Sequence, residues 1–580
     1  MISNRLGGTF PMLKFDVVVV GAGGAGMMAA LNASEGKDLN VAVLSKIFPT
    51  RSHTGAAQGG INAAMAYRDA NDSTESHFRD TVKGSDFLAD QDAVEFFTSN
   101  MPAIISELDY YGVPFSRDEN GRVAQRPFGG ASSPRTCYSA DKTGHVILHA
   151  LYEQCLKNKV QFLNEWFLLS VVVENGNFEG LVAMDIRSGE IQPIQAKSVV
   201  IASGGFGRIY WSRTTNAINM TGDGTAACFE AGIPLKDPEF IQFHPTGLAQ
   251  TGVLLSEACR GEGGYLLNKD GERFMGRYAP EKMELGPRDL VSRSIETEIK
   301  EGRGFGEGMT SYVLMDLRHL GEKKIMERLP QVRELAMEFE GVDLIKEPVP
   351  IRPSCHYTMG GIHVSDYKTC STPIDGIHAA GECCSVSIHG ANRLGGNSVA
   401  DVVLFGKYAG LGAKESAKRR VFGSTKKLEQ EATDWMAKFK TIRQKKTGIN
   451  MFEIRNRLAE TMWYNVGIFR TESEMEKALE TVDELLEQYK DAYAGDPSET
   501  YNMAFINYIE IGNILKLARA VTMGALNRQE SRGSHSRADY PTRNDEKFLK
   551  HTLIYKNGDK YRLEYAPVTI TNYQPEERKY

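Results

Sequence analysis

Phe15-Asp16-Val17-Val18-Val19-Val20 runs straight into Gly21-Ala22-Gly23-Gly24-Ala25-Gly26, and this stretch decides the fold of the 580-residue chain. The apolar run does not alternate, so it reads as a strand of a parallel sheet covered on both faces. Gly21-x-Gly23-x-x-Gly26, followed by helix-forming Met27 to Leu31, has the context of a dinucleotide-binding turn. There the backbone N–H groups and the helix N-terminus would hold a pyrophosphate. Val41-Ala42-Val43-Leu44 supplies the next strand of a right-handed βαβ unit. Ser198 to Gly205 and Ile377 to Glu382 repeat the strand-then-glycine pattern far along the chain. One nucleotide domain interrupted by an insertion accounts for all three.

The length exceeds what a single core holds, so two to four domains are expected. The insertion spans about residues 247–355. It holds a hairpin-like Leu266 to Met275 with Asp270-Gly271 at its turn, then charge-rich helical segments such as 321–340. From about residue 426, apolar residues recur at helical spacing, as in Leu479, Val482, Leu485, Leu486 and Tyr489. From about residue 546, Leu, Tyr, Val and Thr alternate, which predicts a small β piece.

A net charge of -6 and no basic stripe argue against nucleic acid. No apolar run reaches the ~18 residues that span a bilayer. The first residues lead into the glycine turn and not into a cleavage site, so no secretory signal is expected. The eight cysteines include no C-x-x-C spacing, which supports neither a zinc site nor a cysteine-held cluster. They read as reduced, buried thiols.

Arg51-Ser52-His53-Thr54, with Gly59-Gly60 just beyond, is placed for chemistry. A dinucleotide bound at the glycine turn would extend toward it, and an imidazole beside a flavin ring is open to alkylation by the ring methyl. The acidic residue that usually holds an NAD ribose is replaced by Ser45-Lys46, so a hydroxyl is expected to serve there. No second fingerprint for a nicotinamide exists, so hydride should pass directly between cofactor and substrate. A scattered polar set includes QFHPTG at 242–247, SEACRGEGG at 256–264, Arg288-Asp289, CHYTMGGI at 355–362 and HGANRLGGNS at 389–398. Its histidines, arginines and hydroxyls suit a small dicarboxylate, because a guanidinium binds a carboxylate at two points.

These motifs, together with FPTRSHTGAAQGG at 48–60, make the chain similar to the flavoprotein family of succinate dehydrogenase and fumarate reductase over nearly its whole length. The resemblance implies an α/β fold. A Rossmann-like FAD-binding domain (1–246 and 356–425) would carry an inserted α+β capping domain (247–355). A helical domain (426–545) and a small C-terminal domain (546–580) would follow. It implies FAD held covalently through His53. The remaining FAD contacts would be Gly21, Ala22, Gly23, Gly24, Ala25, Gly26, Ser45, Lys46, Ser52, Thr54, Gly59, Gly60, Asp223, Glu382, Ser398 and Val399. His244, Ser256, His356 and Arg393 would bind the dicarboxylate, with Ser256 keeping the hydroxyl of a more usual Thr. Arg288 would transfer the proton, and a relay Arg288–Glu257–Arg260 would carry it to solvent. Glu257 and Arg260 share a face if their segment is helical.

The reaction implied is oxidation of succinate to fumarate, with the reverse, fumarate reduction, as the alternative. Electrons must leave singly, and this sequence has no cluster-binding pattern. An iron–sulfur subunit and a quinone-serving membrane anchor are the implied partners. The chain would then lie at the cytoplasmic face of the bacterial inner membrane, attached through those subunits. L-aspartate oxidase lacks the covalent histidine, and a binding protein that has lost catalysis would not keep His244, Glu257, Arg288, His356 and Arg393 together.

Overall fold

The computed structural model describes residues 12–576. The expectation about the first residues falls on 1–11, outside the described residues, as do the last four of the C-terminal piece.

The opening apolar run is the strand Leu13–Val20, and Val17, Val18 and Val19 are fully buried. Both faces are covered, which is why the run does not alternate. Each such valine contributes about 1.5–3 kcal/mol by leaving water. The strand pairs in parallel with Val41–Ser45 on one side and Ile191–Ile201 on the other. Gln161–Asn164 extends the sheet beyond Val41–Ser45, also in parallel. Ile377–Ala379 joins the C-terminal end of Ile191–Ile201 in parallel, although some 180 residues separate them in sequence. Asn177–Asp185 and Trp166–Glu174 complete the seven strands as an antiparallel extension. The sheet is therefore mixed at one edge.

Helix Gly24–Ser34 follows the glycine turn and is buried along its whole length. A Cβ on Gly26 would stand 1.8 Å from the Gly21 carbonyl oxygen, so only glycine lets helix and strand meet so closely. The long helix Asn397–Arg419 lies across it. Cβ atoms on Gly406 and Gly410 would come within 2.5 Å of Ala25 O and 2.3 Å of Ala29 O. Two mid-helix glycines, costly in a lone helix, are the condition for this crossing.

Ile241–Leu248 and Val349–Thr358 pair antiparallel, and Val313–Asp316 and Tyr265–Leu267 complete a four-stranded sheet. Its outer part buries its own apolar cluster, from Leu248 to Ile351. The expected hairpin at 266–275 is corrected here. Leu267 and Arg273 share only a single bridge, and the strand pairs with Val313–Asp316 instead. The Asp270-Gly271 turn does form, with Gly271 at φ +76°.

Helices Thr425–Gln444, Met451–Asn465, Glu472–Lys490 and Met503–Asn527 share one apolar cluster with the back of the large sheet, including Phe167, Val172 and Val182. In Glu472–Lys490 the buried stripe is Met475, Ala478, Val482 and Leu485; of the expected set Val482 and Leu485 belong to it, Leu486 and Tyr489 pack half-buried beside it, and Leu479 lies at its margin. The hairpin Lys550–Asn557/Lys560–Pro567 adds to a sheet with Leu235–Lys236, Gly361–His363 and Cys384–Ser385. All eight cysteines are free and buried. Among the described residues, no helix is long and apolar enough to cross a membrane.

Two buried histidines set a pH limit on this fold. His77 Nε2 lies 3.0 Å from Asn397 Oδ1, and His378 Nδ1 lies 2.8 Å from Thr369 O. Burial, reinforced at His77 by Arg135, pushes both imidazoles down to about 4. Between there and the unfolded value near 6.5, the unfolded chain binds more protons, so stability rises with pH. We expect the melting temperature to fall steadily as pH drops from about 6.5 toward 4, by scanning calorimetry. A flat profile across that window would show that these imidazoles take up protons in the fold as readily as in the unfolded chain.

Candidate active site

One cavity of about 510 Å³ is lined both by the glycine turn and by the scattered polar set between His244 and Arg393. Its first wall is built locally. Gly23 caps helix Gly24–Ser34 and brings no side chain to the helix end. Thr54 Oγ1 accepts from Gly24 N at 3.0 Å, and Ser52 Oγ donates to Ala22 O at 2.9 Å. The loop after the second strand is thereby closed on the turn, and the remaining N–H groups of the helix end suit a phosphate. Gly21 to Ala25, Gly59, Gly60, Ser398 and Val399 all line the cavity. Gly26 does not, because its role is the strand contact described above.

His53 lines the same space, and its Nδ1 is buried without a hydrogen-bond partner among the described residues. Burial, with a smaller contribution from Arg208, pushes its imidazole down to about 4. At neutral pH the ring is uncharged and keeps a lone pair. The glycine cradle, a helix end whose cap residue brings no side chain, and this imidazole fit an FAD.

At the position where a ribose is expected, the hydroxyl already has one partner. Ser45 Oγ donates its proton to Ile47 O at 2.7 Å, leaving only acceptor capacity. Lys46 pairs with Asp223 at 2.5 Å and with Glu510 at 2.7 Å. Burial opposes the Lys46 charge, but the two carboxylates outweigh it and its pKa is raised. Carboxylates as well as a hydroxyl therefore stand at this end, and one arrives from the helical region. Glu382 is buried and accepts from Thr358 N at 3.1 Å. Burial pushes its carboxyl up to about 7.

The second wall comes from strand pairing. His244 sits opposite Ser354 and Phe243 opposite Cys355, with a bulge on either side. The two histidine motifs thus lie on adjacent strands, and the His244 and His356 rings stand 4.9 Å apart. Thr246 N donates to His244 Nδ1 at 3.2 Å. In the neutral ring Nε2 then carries the proton and serves as a donor. Burial, then the Arg288 charge, keeps both imidazoles well below their usual range.

Arg393 is buried and stacks over Tyr357 at 4.4 Å, and its Nη2 donates to Gln242 Oε1 at 3.0 Å. Its Nε has no partner among the described residues. Burial and the Arg288 charge push its guanidinium down to about 10. Arg288 Nε donates to Glu257 Oε2 at 2.8 Å, and Nη2 lies equally close. Burial would protonate Glu257, but Arg288 and Arg260 outweigh it and hold its carboxyl low.

Glu257 begins the one-turn helix Ala258–Gly261, so the expected shared face with Arg260 exists, at 3.6 Å. The expected exit to solvent does not open at Arg260 itself. Arg260 is 2% exposed, and its Nη1 donates to Glu284 O at 2.6 Å. The single helical turn aims the side chain under the 284–286 loop and not outward. Ser256, Glu257, Arg288, His244, His356 and Arg393 all line the cavity, whereas Arg260 lies behind it.

Sequence reasoning passed over three participants. Gln242 accepts from both arginines and donates to Arg393 O at 2.8 Å, yet it was quoted only within QFHPTG. Arg208 follows a strand-glycine element, a signal that was there to use. Glu510 carries no local signal.

Residues 16–399 match the family described as FAD binding domain, and 455–580 match that described as fumarate reductase flavoprotein C-term. The 8-methylmenaquinol:fumarate reductase flavoprotein subunit of Wolinella succinogenes is 50% identical, covering 97% of this chain and 92% of that one. The succinate dehydrogenase flavoprotein subunit of Rickettsia bellii is 45% identical, covering 97% and 96%. A mutant Escherichia coli quinol fumarate reductase FrdA superposes with a TM-score of 0.94 at 42% identity, covering 98% of this chain and 99% of that one.

Proposed function

Because the chain belongs to the succinate dehydrogenase and fumarate reductase flavoprotein family, we propose that it interconverts succinate and fumarate as the flavoprotein subunit of a succinate:quinone oxidoreductase. The observation that carries the reading is Arg393. A buried guanidinium whose Nε has no partner among the described residues faces a cavity shared with His53, His244, His356 and Arg288. An unpaired buried charge is costly, and a carboxylate relieves it.

Arg393, His244, His356 and Ser256 bind the two carboxylates and fix the substrate's orientation. FAD, held by the glycine turn with Ser52 and Thr54, would supply the acceptor for hydride from one substrate carbon. Arg288 takes the proton from the other. A guanidinium normally keeps its own proton, with a pKa above about 12. Glu257, ionised and 2.8 Å away, withdraws one as Arg288 receives one, so Arg288 is deprotonated only in passing. Arg260 stands behind Glu257 as the next proton carrier. The arginines stabilise negative charge developing beside the substrate carboxylate. In reverse the same groups deliver the proton.

His53 is the proposed point of covalent attachment, supported by its uncharged, unpartnered ring. The segment 247–355 is proposed to act as a cap over the substrate. Electrons would leave through an iron–sulfur subunit to a membrane anchor with quinone, at the cytoplasmic face of a bacterial inner membrane. A second reading, net fumarate reduction, is favoured by the name of the 50% identical relative.

Malonate, a non-reacting dicarboxylate, should perturb the flavin spectrum of the holoprotein and compete with succinate. No spectral response at saturating malonate, in protein with full flavin, would reject the dicarboxylate site. Succinate–quinone and quinol–fumarate rates of the complex from native membranes separate the two directions.

A further inference from the structure

Arg532-Gly533-Ser534-His535 is not part of the cavity lining, yet it is packed against the loop that carries Arg393. Gly533 has φ +55°, and a Cβ on it would stand 2.5 Å from the Ala391 carbonyl oxygen. Ser534 sends both its N–H and its Oγ–H to that same oxygen, each at 2.9 Å. On the other side, Ala391 N donates to Ser85 O at 3.0 Å.

The turn is itself anchored. Gly533 N donates to Asp86 Oδ2 at 2.8 Å, and Arg532 Nη1 donates to Asp86 O at 2.9 Å. Arg532 also grips Glu530 at two points, 2.8 and 2.9 Å, and neither side chain is exposed. Asp86 and Phe87 both hold positive φ, a conformation that persists only where the surroundings over-determine it.

The geometry points to Gly533 as a positioning residue for Arg393. Its missing side chain lets the 532–535 turn seat on Ala391, and this fixes the main chain two residues ahead of Arg393. The inference rests on the reading of Arg393 as a carboxylate-binding group. Beyond Gln242 and the Tyr357 ring, little steers that guanidinium, so its aim follows the placement of its backbone. Displacements of about 1 Å at such a group cost on the order of 10²-fold in rate.

The test is Gly533→Ala in the full chain with its partners. The malonate dissociation constant and the KM for succinate should rise about ten-fold or more, which is about 1.4 kcal/mol. Flavin content should match the parent, and amide exchange in the peptide 388–397 should quicken. Malonate affinity within about two-fold of the parent would overturn the role, whether or not exchange changes. If Gly533→Ala fails to accumulate, Asp86→Asn loosens the same turn at nearly constant volume and is judged by the same two measurements. A parent that neither binds malonate nor oxidises succinate would sink the functional reading alone. Exchange in 388–397, parent against variant, would then still judge the brace.

Discussion

Arg288→Lys should lower succinate turnover by about 10²–10⁴-fold, the range that a positioned proton-transfer group supplies, while flavin content and malonate binding stay near the parent's. The reason is geometric. Arg288 reaches Glu257 through two nitrogens at 2.8 Å and extends a third toward Gln242 Oε1 at 3.4 Å. Lysine keeps the charge but has one nitrogen on a flexible stem, so it cannot hold Glu257 and meet the substrate carbon together. Glu257→Gln should give a loss of similar kind, because an amide does not take the guanidinium proton. Its arginine partners would then be left without the carboxylate that balances them. Retained turnover in Arg288→Lys, with normal flavin, would rule out proton transfer at this position. Loss of malonate binding in the same variant would instead make Arg288 a substrate clamp.

His53→Ser should still bind FAD, because the glycine turn, Ser52 and Thr54 are untouched, but acid precipitation should now release the flavin and leave a colourless pellet. Alkylation makes a flavin a stronger oxidant, and succinate is hard to oxidise. A drop of about 60 mV in a two-electron potential corresponds to about 100-fold in the equilibrium constant. Succinate oxidation should therefore fall far more than fumarate reduction. The unmodified ring is suited to attachment, since burial holds it near a pKa of about 4 and uncharged. If the wild-type pellet is colourless, or if both directions fall equally in the variant, the covalent role is lost.

Some features were readable from a few adjacent residues. The valine run, Gly21, Gly26 and the helix behind them follow from local sterics and an apolar period, and the structure returns them with the four valines buried. The paired motifs QFHPTG and CHYTMGGI were also legible as chemistry. Their adjacency was not, because it depends on a bulged antiparallel register between strands more than a hundred residues apart. The failures share that character. The hairpin expected at 266–275 gave way to pairing with Val313–Asp316, and Arg260, expected to pass protons toward solvent, lies under the 284–286 loop.

What the sequence determined by itself was the nucleotide fold, the identity of the groups available for chemistry and the family to which they belong. Each of these is encoded in residue type and short-range spacing. Only the tertiary structure decided which polar groups are already satisfied and which stand bare in the cavity. Glu510 at Lys46, Gln242 between two arginines and Gly533 beneath Ala391 are brought in by packing across distant segments. Hydrogen-bond capacity is finite and burial is collective, so a side chain's chemistry is settled by neighbours that its own stretch of chain does not name.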